Sequence, residues 1–158
     1  DENPIERILE IKKEEKIKIL QFHKKSPENP ISFDSLEDLL VDISKNDLHC
    51  EGEVRIIFSG NNEFPYSARE QWTDSCNLLA LKEGVVLGYD RNDKTTEAFR
   101  QAGFDVIHAK ELVNALEAGT IDVDKMKDCL ILMPSAELSR ARGGFHCMSM
   151  PILRTALK

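Results

Sequence analysis

Cys147 stands just after a Gly143-Gly144 pair and two arginines, Arg140 and Arg142, in a stretch from Leu132 to Pro151 that reads Leu-Met-Pro-Ser-Ala-Glu-Leu-Ser-Arg-Ala-Arg-Gly-Gly-Phe-His-Cys-Met-Ser-Met-Pro. A thiolate is a good nucleophile, and positive charge nearby favours thiolate over thiol. Two adjacent glycines let the backbone take dihedrals closed to other residues and approach a ligand closely. The competing reading is that a free cysteine is usually buried and acts as a small apolar side chain. Spacing and residue types here point to a loop that delivers Cys147 as a nucleophile. The two arginines either add positive charge beside it or are solvated loop residues.

Such a loop needs a framework. Cys129 to Met133 reads as a buried strand leading into it, and Met148 to Leu153 as the last strand beyond it. Further upstream, Asn77 to Leu81 and Val85 to Tyr89 predict a β-hairpin turned at Lys82-Glu83-Gly84. A helix is expected from Lys94 to Ala102, with Asn92 or Asp93 as N-cap and Gly103 as its stop. Phe104 to His108 alternates as a strand with His108 as a structural strand-end residue, and Glu111 to Ala118 is helical with Leu112, Ala115 and Leu116 inward. Val54 to Phe58 predicts a short strand ended by Ser59-Gly60-Asn61-Asn62. The long connection from there to Asp74 carries Phe64, Pro65, Tyr66 and Trp72, with Trp72 expected as an aromatic plug beneath it rather than a substrate contact.

In the first third, Ser35 and Asp38 look like a capping pair, and Leu36, Leu39, Leu40 and Ile43 form a stripe expected to be core. Glu37, Asp38 and Asp42 are then the wet face of that helix. Ser26-Pro27-Glu28-Asn29-Pro30 reads as a breaker, Ile17 to Phe22 as a short strand, and Ile5, Ile8 and Leu9 have helical spacing within Pro4 to Leu9. The order of elements gives a mixed α/β (α+β) domain, with no internal repeat visible.

A chain of 158 residues is sized for one domain. The excess of 28 acidic over 21 basic residues, a net charge of -7, argues against non-specific binding to nucleic acid or to anionic membrane. No apolar run approaches the roughly 18 residues of a membrane span, and the N-terminus lacks the regions of a signal peptide, so the expected compartment is the cytoplasm. Cys50, Cys76, Cys129 and Cys147 are too scattered for a disulfide framework. The dipeptides His49-Cys50 and His146-Cys147 do not supply the short-spaced ligand pairs of a structural zinc site, so no metal is expected.

The run Glu137-Leu138-Ser139-Arg140-x-Arg142-Gly143-Gly144-x-x-Cys147-Met148-Ser149-Met150-Pro151 resembles the C-terminal active-site motif of bacterial arginine deiminases, guanidine-modifying enzymes with the pentein fold. A second block, Ala68-Arg69-Glu70-Gln71-Trp72-Thr73-Asp74 followed by Gly84-Val85-Val86-Leu87-Gly88-Tyr89-Asp90-Arg91-Asn92, is similar to the same family in the same order. The resemblance covers Val54 to Arg154, and residues 1–53 match only weakly. It implies a pentein-type α/β propeller built from ββαβ modules. It also implies hydrolysis of L-arginine to citrulline and ammonia, with Cys147 attacking the guanidinium carbon and no metal or organic cofactor. Arg142, five residues before the nucleophile, would contact the substrate carboxylate, a task suited to a guanidinium fork; Arg140 would be structural or a helper of the thiol.

In that family the general acid and base is a histidine of a His-x-Asp motif, and the guanidinium-binding carboxylates lie earlier in a longer chain. None of His23, His49, His108 or His146 sits in such a motif. His146 adjoins Cys147, yet neighbouring side chains of an extended strand point to opposite faces, which sets it aside as the base. The chain, which starts at Asp1, is therefore expected to be a single-domain C-terminal segment of a longer deiminase, inactive alone. Its expected partners are arginine and either the N-terminal portion of the same protein or further copies in a homo-oligomer. Ala141, Phe145 and His146 depart from the residues usual in the family, which bears on loop dihedrals and substrate preference. Two alternatives remain: another guanidine-modifying pentein, such as an amidinotransferase or a methylarginine hydrolase, against which the Glu-Leu-Ser-Arg stretch speaks, and a non-catalytic arginine-binding or assembly domain.

Overall fold

In the first of two units, residues 1–56, the described residues form two strands and a capped helix, in a computed structural model that describes residues 18–135 and 138–153. Strands β1 (Ile19–His23) and β2 (Ser26–Phe33) pair antiparallel with Ile19 opposite Phe33. The segment Ser26 to Pro30, expected to break structure, is therefore part of a strand. Prolines are tolerated there because the sheet has only two strands, so β2 keeps an unpaired edge for positions that lack an N–H. Helix α1 (Leu36–Asp42) starts at the expected cap, Ser35, whose Oγ accepts from Asp38 N at 3.0 Å. It continues into a π-helical turn, Ile43–Asp47.

The stripe on α1 is not core. Leu36 and Leu40 are exposed, Leu39 and Ile43 are only half-buried, and α1 has no buried residue, so among the described residues the stripe meets no enclosed core. The helical pattern at Pro4 to Leu9 and the first residue of the strand expected at Ile17 lie outside the described residues.

The segment expected as a strand at Val54 to Phe58 runs across the boundary to the second unit, residues 57–158, and carries no regular element. Its β-branched residues suit extended backbone, but no strand pairs with it; Ile57 instead packs on the core around Phe99. A 3-10 turn (Ser59–Asn62) follows, with Gly60 at φ 58°, where an added Cβ would sit 2.3 Å from the backbone of Tyr66 and Ser67. Only glycine fits. The connection onward is not a bare loop, since it holds helix α2 (Tyr66–Trp72).

The expected hairpin is present as β3 (Leu79–Lys82) and β4 (Val85–Tyr89), turned at Gly84 with φ 70°. Then come α3 (Asp93–Gln101), β5 (Asp105–His108), α4 (Ala109–Glu117) and β6 (Cys129–Met133). The sheet order is β3-β4-β6-β5, with β6 parallel to both of its neighbours. An unbroken apolar strand such as Cys129-Leu-Ile-Leu is stable only with both faces covered. On one face Cys129 and Ile131 meet Val85 and Leu112 of α4; on the other Leu130 and Leu132 meet Phe99 of α3. The result is a mixed α/β unit, as the order of elements predicted.

The last strand is a correction. Met148 to Leu153 form no strand: Phe145–Met148 is a single helical turn, α5, and Ile152 and Leu153 are 93% and 86% exposed. Both sides of β6 are already paired, so this apolar run finds no open edge beside the strand it follows. No helix among the described residues is long and apolar enough to cross a membrane.

Helix α3 is capped from a distance. Asn92 occupies the N-cap position without a side-chain cap bond. Glu70 of α2, only 3% exposed, does the work: Oε1 accepts from Lys94 N at 2.9 Å, and Oε2 accepts from Thr95 N and Thr95 Oγ1, both at 2.7 Å. A carboxylate there satisfies orphan donors and meets the positive end of the helix dipole. Glu70→Ala leaves three buried donors without their acceptor, and it is expected to lower the unfolding free energy by about 3 kcal/mol. Urea denaturation followed by the fluorescence of Trp72 measures this, and Glu70→Gln, which keeps one acceptor, should lose less.

Candidate active site

In sheets with parallel strands, ligands gather outside the carboxyl ends of those strands. Here β4 ends at Tyr89, β6 ends at Met133, and the antiparallel β3 begins beside them, so residues 74–78, 89–91, 134–135 and 138–147 meet at one end of the sheet. Three consecutive residues after β4 grip the loop that follows β6. Tyr89 OH donates to Gly143 O at 2.6 Å; Asp90 Oδ1 accepts from Ser135 N at 3.2 Å and Ser135 Oγ at 3.0 Å; Arg91 Nη1 donates to Ser139 Oγ at 2.5 Å. Ser135 and Ser139 are buried by this grip. Burial pushes the Tyr89 phenol above its ordinary value, and the nearby Asp74 and Cys147 act in the same direction, so Tyr89 stays a proton donor to the loop through the neutral range.

The glycine pair acts differently from the sequence expectation. Neither Gly143 nor Gly144 has a positive φ; Arg142, the residue before them, takes that conformation at φ 60°. Gly144 is needed for closeness: a Cβ on it would lie 2.4 Å from both Cβ and O of Asn77. That approach seats α5 on the turn before β3. Cys147 is exposed on α5, and Asn77 Nδ2 donates to its Sγ at 2.7 Å. Beside them lies an open cavity of about 420 Å³ lined by Gln71, Asp74, Cys76, Asn77, Leu78 and His146.

Because residues 145–148 are helical, the strand argument that turned His146 away does not hold, and His146 lines the cavity. Asp74 lines it too, with a left-handed backbone at φ 58° and a buried Oδ2 that has no hydrogen-bond partner among the described residues. Trp72 is no plug: it is 62% exposed, and the Arg142 guanidinium carbon lies 3.7 Å from the centre of its ring. The helix that carries Trp72 buries Glu70 instead, which turns the indole outward. A guanidinium held over an aromatic face keeps its N–H donors, which lie in the guanidinium plane, for other partners. Arg140 is exposed in a 3-10 turn, Leu138–Ala141. His108 ends β5 and precedes α4, as a strand-end residue should.

The structure thus places Cys147 and Arg142 on one short segment and brings Cys147 to Asn77 and Arg142 to Trp72. Sequence reasoning missed Asn77, Tyr89, Asp90 and Glu70. Three of these, Glu70, Tyr89 and Asp90, lie inside the two blocks that carry the family resemblance, which was the available signal; Asn77 lies just outside them. Among the described residues no group of three His, Cys, Asp or Glu side chains is placed to hold a metal ion.

A family model described as arginine deiminase matches residues 7–154, reaching well into the first unit. The arginine deiminase of Latilactobacillus sakei is 39% identical over 106 residues, which are 67% of this chain and 20% of that protein. That of Oenococcus oeni is 36% identical over 136 residues, 86% of this chain and 26% of that protein. That of Mycoplasma capricolum is 36% identical over 106 residues, 67% of this chain and 20% of that protein. The chain therefore spans a fifth to about a quarter of the length of these relatives.

Trp72 is the sole tryptophan, so its emission reports on the stacked arginine. Arg142→Ala is expected to change the intensity and wavelength of that emission while costing only about 0.5–1 kcal/mol of stability, as an exposed cation–π contact should. An unchanged spectrum would mean that the two side chains do not meet in solution. Gly144→Ala drives a methyl into Asn77 and is expected to cost about 1–3 kcal/mol, measured by denaturation, with Gly143→Ala, where space is open, close to neutral.

Proposed function

As the chain belongs to the arginine deiminase family, we propose that it supplies the nucleophile of an enzyme that hydrolyses L-arginine to L-citrulline and ammonia. The observation that carries this reading is Cys147 itself: an exposed thiol held by a hydrogen-bond donor at the rim of a cavity that includes a carboxylate and a histidine. A guanidinium carbon is resonance-stabilised and water attacks it poorly, so a covalent route through sulfur divides one hard displacement into two easier ones.

In the proposed sequence the Cys147 thiolate adds to the guanidinium carbon. One carbon–nitrogen bond then breaks, and the departing nitrogen takes up a proton and leaves as ammonia, giving an S-alkylthiouronium. Water adds to that carbon and gives up two protons, the carbon–sulfur bond breaks, and citrulline leaves with the thiolate restored. Atoms and charge balance without a metal or organic cofactor. Arg142, with the edge of its guanidinium open to a ligand while its face rests on Trp72, is the proposed anchor for the substrate carboxylate. Its left-handed backbone is a strain of about 1 kcal/mol or more that a functional position can sustain.

The two protons taken from water and the one given to ammonia need a general acid and base. With no His-x-Asp motif in its sequence, the chain alone is proposed not to turn over arginine; the rest of a longer deiminase would supply that histidine and the guanidinium-binding carboxylates. On the same reading the mixed sheet is part of a pentein-type propeller of ββαβ modules and the enzyme works in the cytoplasm.

Two measurements test this. In the parent enzyme, Cys147→Ser is expected to abolish citrulline formation with arginine binding retained, and normal turnover by that variant would end the proposal. In the 158-residue chain, iodoacetamide should label Cys147 faster than Cys50 or Cys76. Cys129 should be slowest, since burial and the neighbouring Asp105 push its thiol up and the core shields it.

A further inference from the structure

We propose that Asn77 is a catalytic residue of this site, a neutral donor whose side-chain amide holds the Cys147 sulfur and stabilises it as an anion both on attack and on departure. The inference rests on the reading of Cys147 as the nucleophile and adds to it a residue 70 positions earlier in the chain.

Three observations converge on Asn77. Its Nδ2 lies 2.7 Å from Cys147 Sγ, and a thiolate, which carries no proton, can only accept there. Its side chain is wedged: Gly144 packs so closely that a Cβ would come within 2.4 Å of Asn77 Cβ and 2.6 Å of Cγ, so the amide and the helical turn carrying the sulfur are fixed against each other. Its backbone is fixed as well, since Asn77 N donates to Asp74 O at 3.1 Å and closes the turn that leads into β3. Asn77 and Gly144 thus form a rigid seat for the thiol. Asn77 also lines the cavity with Asp74 and His146, so the residue that holds the sulfur borders the space a substrate would fill.

The chemistry explains why an amide suits this place. A substrate with a guanidinium group is a cation, and a lysine or arginine against the sulfur would stabilise the thiolate while repelling that cation. An asparagine N–H offers a fixed partial positive charge at the sulfur and adds no net charge to the cavity. The same bond serves the second half of the reaction, where the thiolate is the leaving group.

The test uses Asn77→Asp, which keeps the shape and removes the donor, and Asn77→Ala, which removes both donor and wedge. In the 158-residue chain, alkylation of Cys147 by iodoacetamide is followed by peptide mass mapping, with Cys50 of the other unit as the internal standard. At neutral pH the ratio of Cys147 to Cys50 labelling is expected to fall about 5-fold in Asn77→Ala, the worth of one hydrogen bond of about 1 kcal/mol. It should fall further in Asn77→Asp, where a negative charge faces the sulfur. In both variants the deficit should close at alkaline pH, where the thiolate forms without help. A deficit of the same size at every pH marks a structural effect and overturns the proposal, as do ratios unchanged in both variants. If Cys147 labels no faster than Cys50 in the unaltered chain, the nucleophile reading fails as well; if it labels faster there and equally fast in both variants, only the role of Asn77 falls.

Discussion

Tyr89, Asp90 and Arg91 hold Gly143, Ser135 and Ser139, and everything at the candidate site hangs from those three anchor points. The loop after β6 has few apolar side chains with which to pack, so its position has to come from polar contacts. Three consecutive residues serve because β4 ends beside β6 and backbone pairing carries the register past the strand: Asp90 N still donates to Met133 O at 3.0 Å. A phenol, a carboxylate and a guanidinium then reach three different depths of the loop. Two of the anchored hydroxyls are buried, where an unmade hydrogen bond is expensive. The loop is thereby tied to the end of β4, the strand that pairs with β6, and Cys147 sits on a segment anchored to the sheet.

The opposite wall of the cavity has a separate origin. Glu70 binds the first turn of α3, Thr95 Oγ1 accepts from Gly60 N at 2.8 Å, and Thr73 and Asn92 exchange two hydrogen bonds. Residues 59–78 are thus wired to α3 through side chains, although they contain only one helix of seven residues. Gly60 and Gly144 are the two close approaches, one where this segment folds on itself and one where it meets α5. Phe99 ties the back of α3 to Leu130 and Leu132 of β6. The two walls therefore trace to neighbouring strands of the sheet, β4 by a polar route on one side and β6 by an apolar route on the other.

How far the sequence carried the argument depended on whether a signal was local. The hairpin β3–β4, helices α3 and α4, strand β6 and the Ser35 cap each carry their own local pattern of apolar spacing, turn or capping residues, and all were legible. Val54 to Phe58 and Met148 to Leu153 were not, because a β-branched or apolar run becomes a strand only when it pairs with an edge, and neither run pairs with the sheet. Ser26 to Pro30 failed in the other direction, as an edge position excuses the prolines that suggested a break. At the candidate site, spacing and family likeness singled out Cys147 and Arg142. Asn77 was invisible, since a donor 70 residues away carries no local pattern, and Trp72 was misplaced because the residue its helix buries is the acid two positions earlier.

The arrangement of charge at this end of the sheet follows from what a guanidinium substrate would demand under the proposed function. Its cationic end requires a cavity free of competing cations, and its carboxylate end requires one cation at a fixed distance away. Under that reading Arg142 would meet the second demand without spoiling the first, because its guanidinium lies over the exposed Trp72 ring and Arg142 is not among the residues that line the cavity with Asp74 and His146. The indole face gives the cation a partner that leaves its hydrogen-bonding edge unspent. The left-handed backbone at Arg142 and the glycine that follows set this direction before any ligand arrives. Ordering an arginine side chain and straining its backbone would otherwise be charged against substrate binding; done in advance, they leave the interaction with the carboxylate to appear as affinity.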